Sequence, residues 1–261
     1  IPKIAILGRP NVGKSSFLNV LLGTDRSIVT DVAGTTRDAI HSRYKMYGKD
    51  FILIDTAGIR KKSKVHEDVE FYSVLRSLKA LEESDVCIVL VDAERGLESQ
   101  DVNIIVLAHK QSKGIVIMVN KWDLVEKDSK TADKFKKDIL EKLAPIDYIP
   151  MVFASVLTKQ RIFQVIEKAV TVFNNKTKRV ATSELNDAML PEIAHYPPPA
   201  LKGKLIQIKY ITQIKAKSPA FAFFCNLPQY IQPSYTRFLE NRLREKFDFE
   251  GVPIRLFFRK K

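Results

Sequence analysis

Cysteine is nearly absent. The chain has two, Cys87 and Cys225, far apart and each inside an apolar run. This excludes a disulfide framework or a cysteine-built metal centre and reads both thiols as core residues, which fits a reducing, cytoplasmic setting. Histidine is also scarce: His41, His66, His109 and His195 share no ligand spacing, so no histidine metal site is expected. No apolar run approaches the roughly 18 residues that cross a bilayer. Neither a signal peptide nor a lipidation signal at the basic C-terminus is visible, so no membrane partner is expected. Acidic residues are the third shortage, with 30 Asp and Glu against 43 Lys and Arg and a formal net charge of +13. The excess is uneven: residues 176–261 hold 16 basic and 7 acidic residues, a net of +9, against +4 for residues 1–175. A polyanion partner for the C-terminal third and a merely solvated basic surface both fit that asymmetry.

What is present is a strand–helix alternation. Ile4–Leu7, Phe51–Ile54, Val86–Val91, Ile115–Val119 and Val152–Ala154 are short apolar runs of the buried parallel-strand kind. Lys14–Leu22, Glu67–Glu83, Ser99–Gln111, Ser129–Lys142 and Arg161–Phe173 carry helical spacing between them. The pattern predicts an α/β domain, a mainly parallel sheet with helices on both faces, over residues 1–175. The polar stretch Asn174–Arg179 reads as a linker, placed at residues 176–180. A small α+β domain is then expected over 181–261, in the order helix (Thr182–Ile193, with Thr182 or Ser183 as cap), strand (Lys204–Thr212), strand (Ala220–Asn226), helix (Pro233–Phe247), strand (Val252–Phe258). The chain opens at Ile1, without an initiator Met and directly on strand-like sequence, so it is expected to be part of a longer protein.

Four strings fall just past strand ends, where ligands bind in such sheets. Gly8-Arg9-Pro10-Asn11-Val12-Gly13-Lys14-Ser15 matches G-x-x-x-x-G-K-[ST] between a strand and a helix. Phosphate oxygens need converging backbone N–H groups, hence a tight loop without bulky side chains. Asn11, Val12, Gly13, Lys14, Ser15 and Ser16 are therefore the expected phosphate contacts, with Lys14 the cation and the Ser15 hydroxyl a magnesium ligand. Asp55-Thr56-Ala57-Gly58 supplies Asp55, holding magnesium through water, and the Gly58 N–H, meeting a γ-phosphate. In Ala33-Gly34-Thr35-Thr36-Arg37-Asp38 a threonine would complete the magnesium shell only when the γ-phosphate is present, Thr36 in preference to Thr35. The loops carrying Thr35, Thr36 and Arg37 and Gly58, Ile59 and Arg60 are then switch segments.

Asn120-Lys121-Trp122-Asp123 names the base. Guanine presents N1–H and N2–H₂ side by side, and one carboxylate, Asp123, can accept both. Adenine lacks that donor pair and would leave the carboxylate unpaired. Lys121 would lie along the base, and Ser155 and Val156 of Phe153-Ala154-Ser155-Val156 would close the far side, with the Val156 N–H reaching guanine O6. Trp122 reads as packing beside the base loop. The implied ligands are GTP and GDP with Mg²⁺.

These strings resemble the translation-factor-related P-loop GTPases. Gly34-Thr35-Thr36-Arg37-Asp38 and Asp55-Thr56-Ala57-Gly58-Ile59-Arg60-Lys61-Lys62 are similar to the Der (EngA) bacterial double-GTPase family, and Tyr235–Glu245 with Phe249–Arg255 is similar to that family's KH-like domain. The resemblance covers essentially the whole chain. It implies a GTPase acting in assembly of the large ribosomal subunit, with that subunit or its precursor as partner, and a preceding GTPase domain missing here. The chain departs from the family's wider pattern at Val156, where alanine is usual, and at Lys159 and Arg161, where glycine is frequent. Its tail has no G-x-x-G loop, the element that clamps RNA in ordinary KH domains.

Many small GTPases carry a glutamine where this chain has Ile59. An apolar side chain cannot orient water, so turnover at or below the order of 10⁻² s⁻¹ is expected. Asn11 resembles the P-loop asparagine that ligates K⁺ in related GTPases; it also suits a turn. Arg37 and Arg60 read as surface or docking residues rather than charge stabilisers. An alternative function is a GTP-gated protein-interaction module whose tail docks another domain and binds no RNA.

Overall fold

The computed structural model describes residues 1–23, 28–33, 40–46, 48–54 and 77–260. The chain divides into two compact units, Ile1–Phe173 and Asn174–Lys261.

The first unit is built on a seven-stranded sheet of order β2-β3-β4-β1-β5-β6-β7. The strands are β1 (Lys3–Leu7), β2 (Ile28–Ala33), β3 (Ile40–Met46), β4 (Lys49–Leu53), β5 (Val86–Asp92), β6 (Gly114–Asn120) and β7 (Met151–Phe153). From β4 through β1, β5 and β6 to β7 every pairing is parallel. β5 and β6 are buried at every position, as their unbroken Val/Ile runs require of strands covered on both faces. β2 and β3 add an antiparallel edge that the apolar runs alone did not announce. Tyr44 on β3 pairs with Phe51 on β4, and their rings stack 5.6 Å apart.

Helices α1 (Lys14–Leu22), α2 (Ser99–Lys110), α3 (Thr131–Leu143) and α4 (Ile162–Thr177) lie near their expected positions. The helix expected over 67–83 lies outside the described residues up to 76; residues 77–83 are helical. One correction concerns α4, which runs on to Thr177 through residues read as linker. Asn175 is buried, and its side-chain amide donates to Glu250 O at 3.1 Å, so this polar residue is structural.

The second unit follows the expected order: α5 (Thr182–His195), β8 (Ile208–Ile214), β9 (Ala220–Cys225), α6 (Pro233–Phe247) and β10 (Arg255–Lys260). β9 is the central strand, antiparallel to β8 and parallel to β10. Its Phe221 and Phe223 meet Leu185 and Met189 of α5 and Leu239 and Leu243 of α6 in one core. Ala181, not Thr182 or Ser183, occupies the N-cap of α5. Thr182 instead sits beside Thr212, with the hydroxyls 3.4 Å apart. Among the described residues, no helix is long and apolar enough to cross a membrane.

Candidate functional site

Three loops meet at the carboxyl ends of the parallel strands. The first joins β1 to α1. It is left-handed at Asn11 (φ 64°) and Gly13 (φ 102°), and Gly8 has φ 141°. At Gly8 a Cβ would lie 2.6 Å from Leu90 O, so the loop can leave the sheet here only as glycine. Asn11 is one of the few side-chain-bearing residues that tolerate the left-handed region, which accounts for it as a turn residue. Lys14 folds back over the loop, its ammonium donating to Gly8 O at 2.7 Å and to Arg9 O at 2.5 Å. Gly13 caps α1, whose first turn, with Ser15 and Ser16, holds no acidic residue. The positive end of the helix therefore faces the loop unopposed, which suits an anion.

The second loop follows β6. Asn120 is a brace: its amide donates to Val12 O at 2.8 Å, and its Oδ1 accepts the Val156 N–H at 3.0 Å. One side chain thus ties the phosphate loop to the loop after β7. It also takes the N–H that the sequence reading directed at guanine O6. Lys121 is left-handed (φ 63°) and reaches across to β5, where its ammonium pairs with Asp92 Oδ2 at 2.5 Å. Burial alone would raise the Asp92 carboxyl, but hydrogen bonds from Lys121 and from the Glu94 N–H hold it below the ordinary carboxylate range. Trp122 is buried against Phe153 and Phe135, with ring centroids at 4.5 and 5.7 Å, and packs as expected. Asp123 follows on the same short 3₁₀ turn. Its Oδ1 is buried and has no hydrogen-bond partner among the described residues.

The third loop is Ser155–Gln160, closed on itself by two backbone bonds between its end residues at 3.2 and 3.0 Å. Ser155 is fully buried, and its hydroxyl accepts the Thr158 N–H at 3.1 Å. Lys159 (φ 57°) and Arg161 (φ 59°) are both left-handed, at the two positions where the resemblance leads one to expect glycine.

Two contributors escaped the sequence reading. Arg9, inside the phosphate loop, is buried and turned away from it. Its Nε donates to Asp101 Oδ2 at 2.9 Å, Nη2 to Gly96 O at 3.2 Å, and Nη1 pairs with Glu98 Oε2 at 2.5 Å. Asp92 is the other; a lone aspartate at a strand end carries no motif. Thr35, Thr36, Arg37, Asp55, Gly58, Ile59 and Arg60 lie outside the described residues. Of the expected magnesium ligands, Ser15 alone is therefore placed. The described residues fit a nucleotide: a glycine cradle under a helix N-terminus, a lysine across it, and an unpartnered buried carboxylate oxygen beyond.

Residues 3–121 match a family model described as 50S ribosome-binding GTPase, and residues 179–259 one described as the C-terminal KH-domain-like region of EngA bacterial GTPase enzymes. The chain is 65% identical over its full length to GTPase Der of Cytophaga hutchinsonii and 63% to that of Amoebophilus asiaticus. It spans 60% of the length of each. Among solved structures, a point variant of Aquifex aeolicus Era bound to GDP·AlF4⁻ is 21% identical, covering all of this chain and 93% of its own, with a TM-score of 0.49.

Proposed function

Because this chain belongs to the Der (EngA) GTPase family, we propose that it binds GTP and GDP, hydrolyses GTP to GDP and phosphate, and acts as a nucleotide-dependent switch. The observation that carries the reading is Asp123 Oδ1, buried without a partner among the described residues. A buried carboxylate oxygen with no donor is costly, and paired N–H donors such as those of guanine remove that cost. Lys14 and the first turn of α1 meet the phosphates, and Ser15, with Thr36 and Asp55, would hold Mg²⁺. When bound, the ion neutralises charge on the β- and γ-phosphate oxygens. Asn11 is either a turn residue or a K⁺ ligand, and turnover in potassium against sodium separates the two.

The proposed partner is the large ribosomal subunit or its precursor. The description of the matching GTPase model and the net +9 of residues 176–261 support this. The cytoplasm is the corresponding setting. The relatives' greater length supports a further, N-terminal GTPase domain in the whole protein. Lack of a G-x-x-G loop in the tail favours a second reading of that unit, as a dock for another protein domain.

Competition binding tests the base assignment. GTP and GDP should displace a bound guanine nucleotide where ATP does not, and Asp123→Asn should shift preference toward xanthine nucleotides, whose C2 oxygen an amide can donate to. Equal affinity for ATP would overturn the reading. Co-sedimentation with ribosomal subunits under GDP and under a non-hydrolysable GTP analogue tests the switch, which requires the two to differ.

A further inference from the structure

Asp92 ends β5 directly opposite Asn120, the last register pair of the β5–β6 ladder. Its residue is 5% exposed. The carboxylate divides its two oxygens: Oδ1 takes the Glu94 N–H at 2.9 Å, and Oδ2 takes the Lys121 ammonium at 2.5 Å. Lys121 is the residue between the brace Asn120 and the base-loop Trp122, and its left-handed backbone sends it back toward β5. A lysine stem has four rotatable bonds and about 2 kcal/mol of rotamer entropy to lose. A buried anion at its head removes much of that freedom before any ligand arrives. The Glu94 N–H in turn fixes the anion, so the support is itself supported.

We propose that Asp92 is a positioning residue for guanine recognition, which acts by pinning Lys121 so that its stem is already ordered when the purine packs against it. The inference rests on the guanine-nucleotide reading of the site. It adds the last residue of β5, which lies outside all four motif strings. Because Lys121 would touch the base rather than the phosphates, loss of Asp92 should weaken GDP and GTP by the same factor. Loss of one pre-ordered long side chain corresponds to about five- to tenfold in affinity.

The test is a double-mutant cycle on the full chain, with Asp92→Asn, Lys121→Met and the pair, read as dissociation constants for GDP and for a non-hydrolysable GTP analogue. Asp92→Asn keeps an oxygen for the Glu94 N–H and loses the charge. It should weaken both nucleotides by the same five- to tenfold, and should change nothing further once Lys121 is Met. Unchanged affinity, unequal effects on the two nucleotides, or full additivity with Lys121→Met would overturn the proposal. So would an Asp92→Asn chain that no longer melts cooperatively, since Asp92 would then be a folding residue. A wild-type chain that binds no GDP would instead remove the guanine reading itself.

Discussion

A Cβ placed on Gly13 would stand 2.3 Å from Asn120 Nδ2, the same nitrogen that donates to Val12 O at 2.8 Å. The phosphate loop and the base loop are therefore interlocked at one point. Glycine at 13 is required twice, by its φ of 102° and by the amide above it. Gly13→Ala should push Asn120 off Val12 and release Val156 as well, because the same side chain accepts its N–H. We expect a loss of GDP affinity of roughly a hundredfold, equivalent to about 3 kcal/mol of strain and lost bracing. Isothermal titration of GDP checks this; affinity within a factor of two of wild type would contradict the interlock.

Arg9 gives a second expectation. Its partner Asp101 is fully buried, and the Asp101 Oδ2 accepts both Arg9 Nε and the Glu98 N–H at the start of α2. Burial holds the Asp101 carboxyl above its ordinary range despite the guanidinium. Arg9→Met should cost about 3–5 kcal/mol by leaving that carboxylate without its cation. Arg9→Met with Asp101→Asn should recover most of it, since the amide can still accept the Glu98 N–H without a buried charge. Urea unfolding followed by Trp122 fluorescence reads this, because the chain's one tryptophan is buried in the first unit. Equal destabilisation of the single and double variants would show that the charge is not the cause.

The parallel sheet of the first unit was legible because its strands are either buried on both faces or end in a motif. β5 and β6 are continuous Val/Ile runs, and α6 runs over Pro233–Phe247 as its Tyr235, Leu239, Leu243 stripe predicts. β3 was not legible: its buried positions Ser42 and Tyr44 are one polar and one aromatic residue among His41, Arg43 and Lys45, so no hydrophobic alternation marks it. The site divides in the same way. Residues whose backbone is special, such as Gly8, Asn11 and Gly13, stand in a motif. Asp92 and Arg9 act through partners 29 and 92 residues away, and no local pattern encodes such pairs.

Lys159 stands at a φ of 57° in the loop after β7. A side chain in the left-handed region costs on the order of 1 kcal/mol relative to glycine. Lys159→Gly should therefore stabilise the first unit by about that amount, raising its melting temperature by roughly 2–4 °C. Arg161, also left-handed, is the poorer choice, since its guanidinium donates to Phe153 O at 3.2 Å and that bond would go. Thermal melting followed by Trp122 checks the gain. A loss of stability in Lys159→Gly would mean that the lysine side chain makes a contact worth more than its backbone strain.

In the second unit a buried phenol sets a limit on alkaline stability. Tyr235 on α6 is 6% exposed and donates its hydroxyl to Tyr196 O at 2.7 Å. Burial pushes its pKa up to about 12, against an ordinary value of about 10 for a tyrosine in the unfolded chain. The folded state thus favours the neutral phenol. The stability this provides is complete below pH 10 and is lost as pH rises through the interval to 12, because the unfolded chain ionises first and folding must then take up a proton. Tyr235→Phe removes the hydroxyl and its bond, so it should cost about 1 kcal/mol at pH 8. The variant should then lose less stability than wild type between pH 10 and 12. Titration of tyrosinate absorbance in the two proteins gives an independent reading: their difference should be one phenol ionising near 12 in the folded chain. A difference curve centred near 10 would place the Tyr235 hydroxyl in water and remove the linkage.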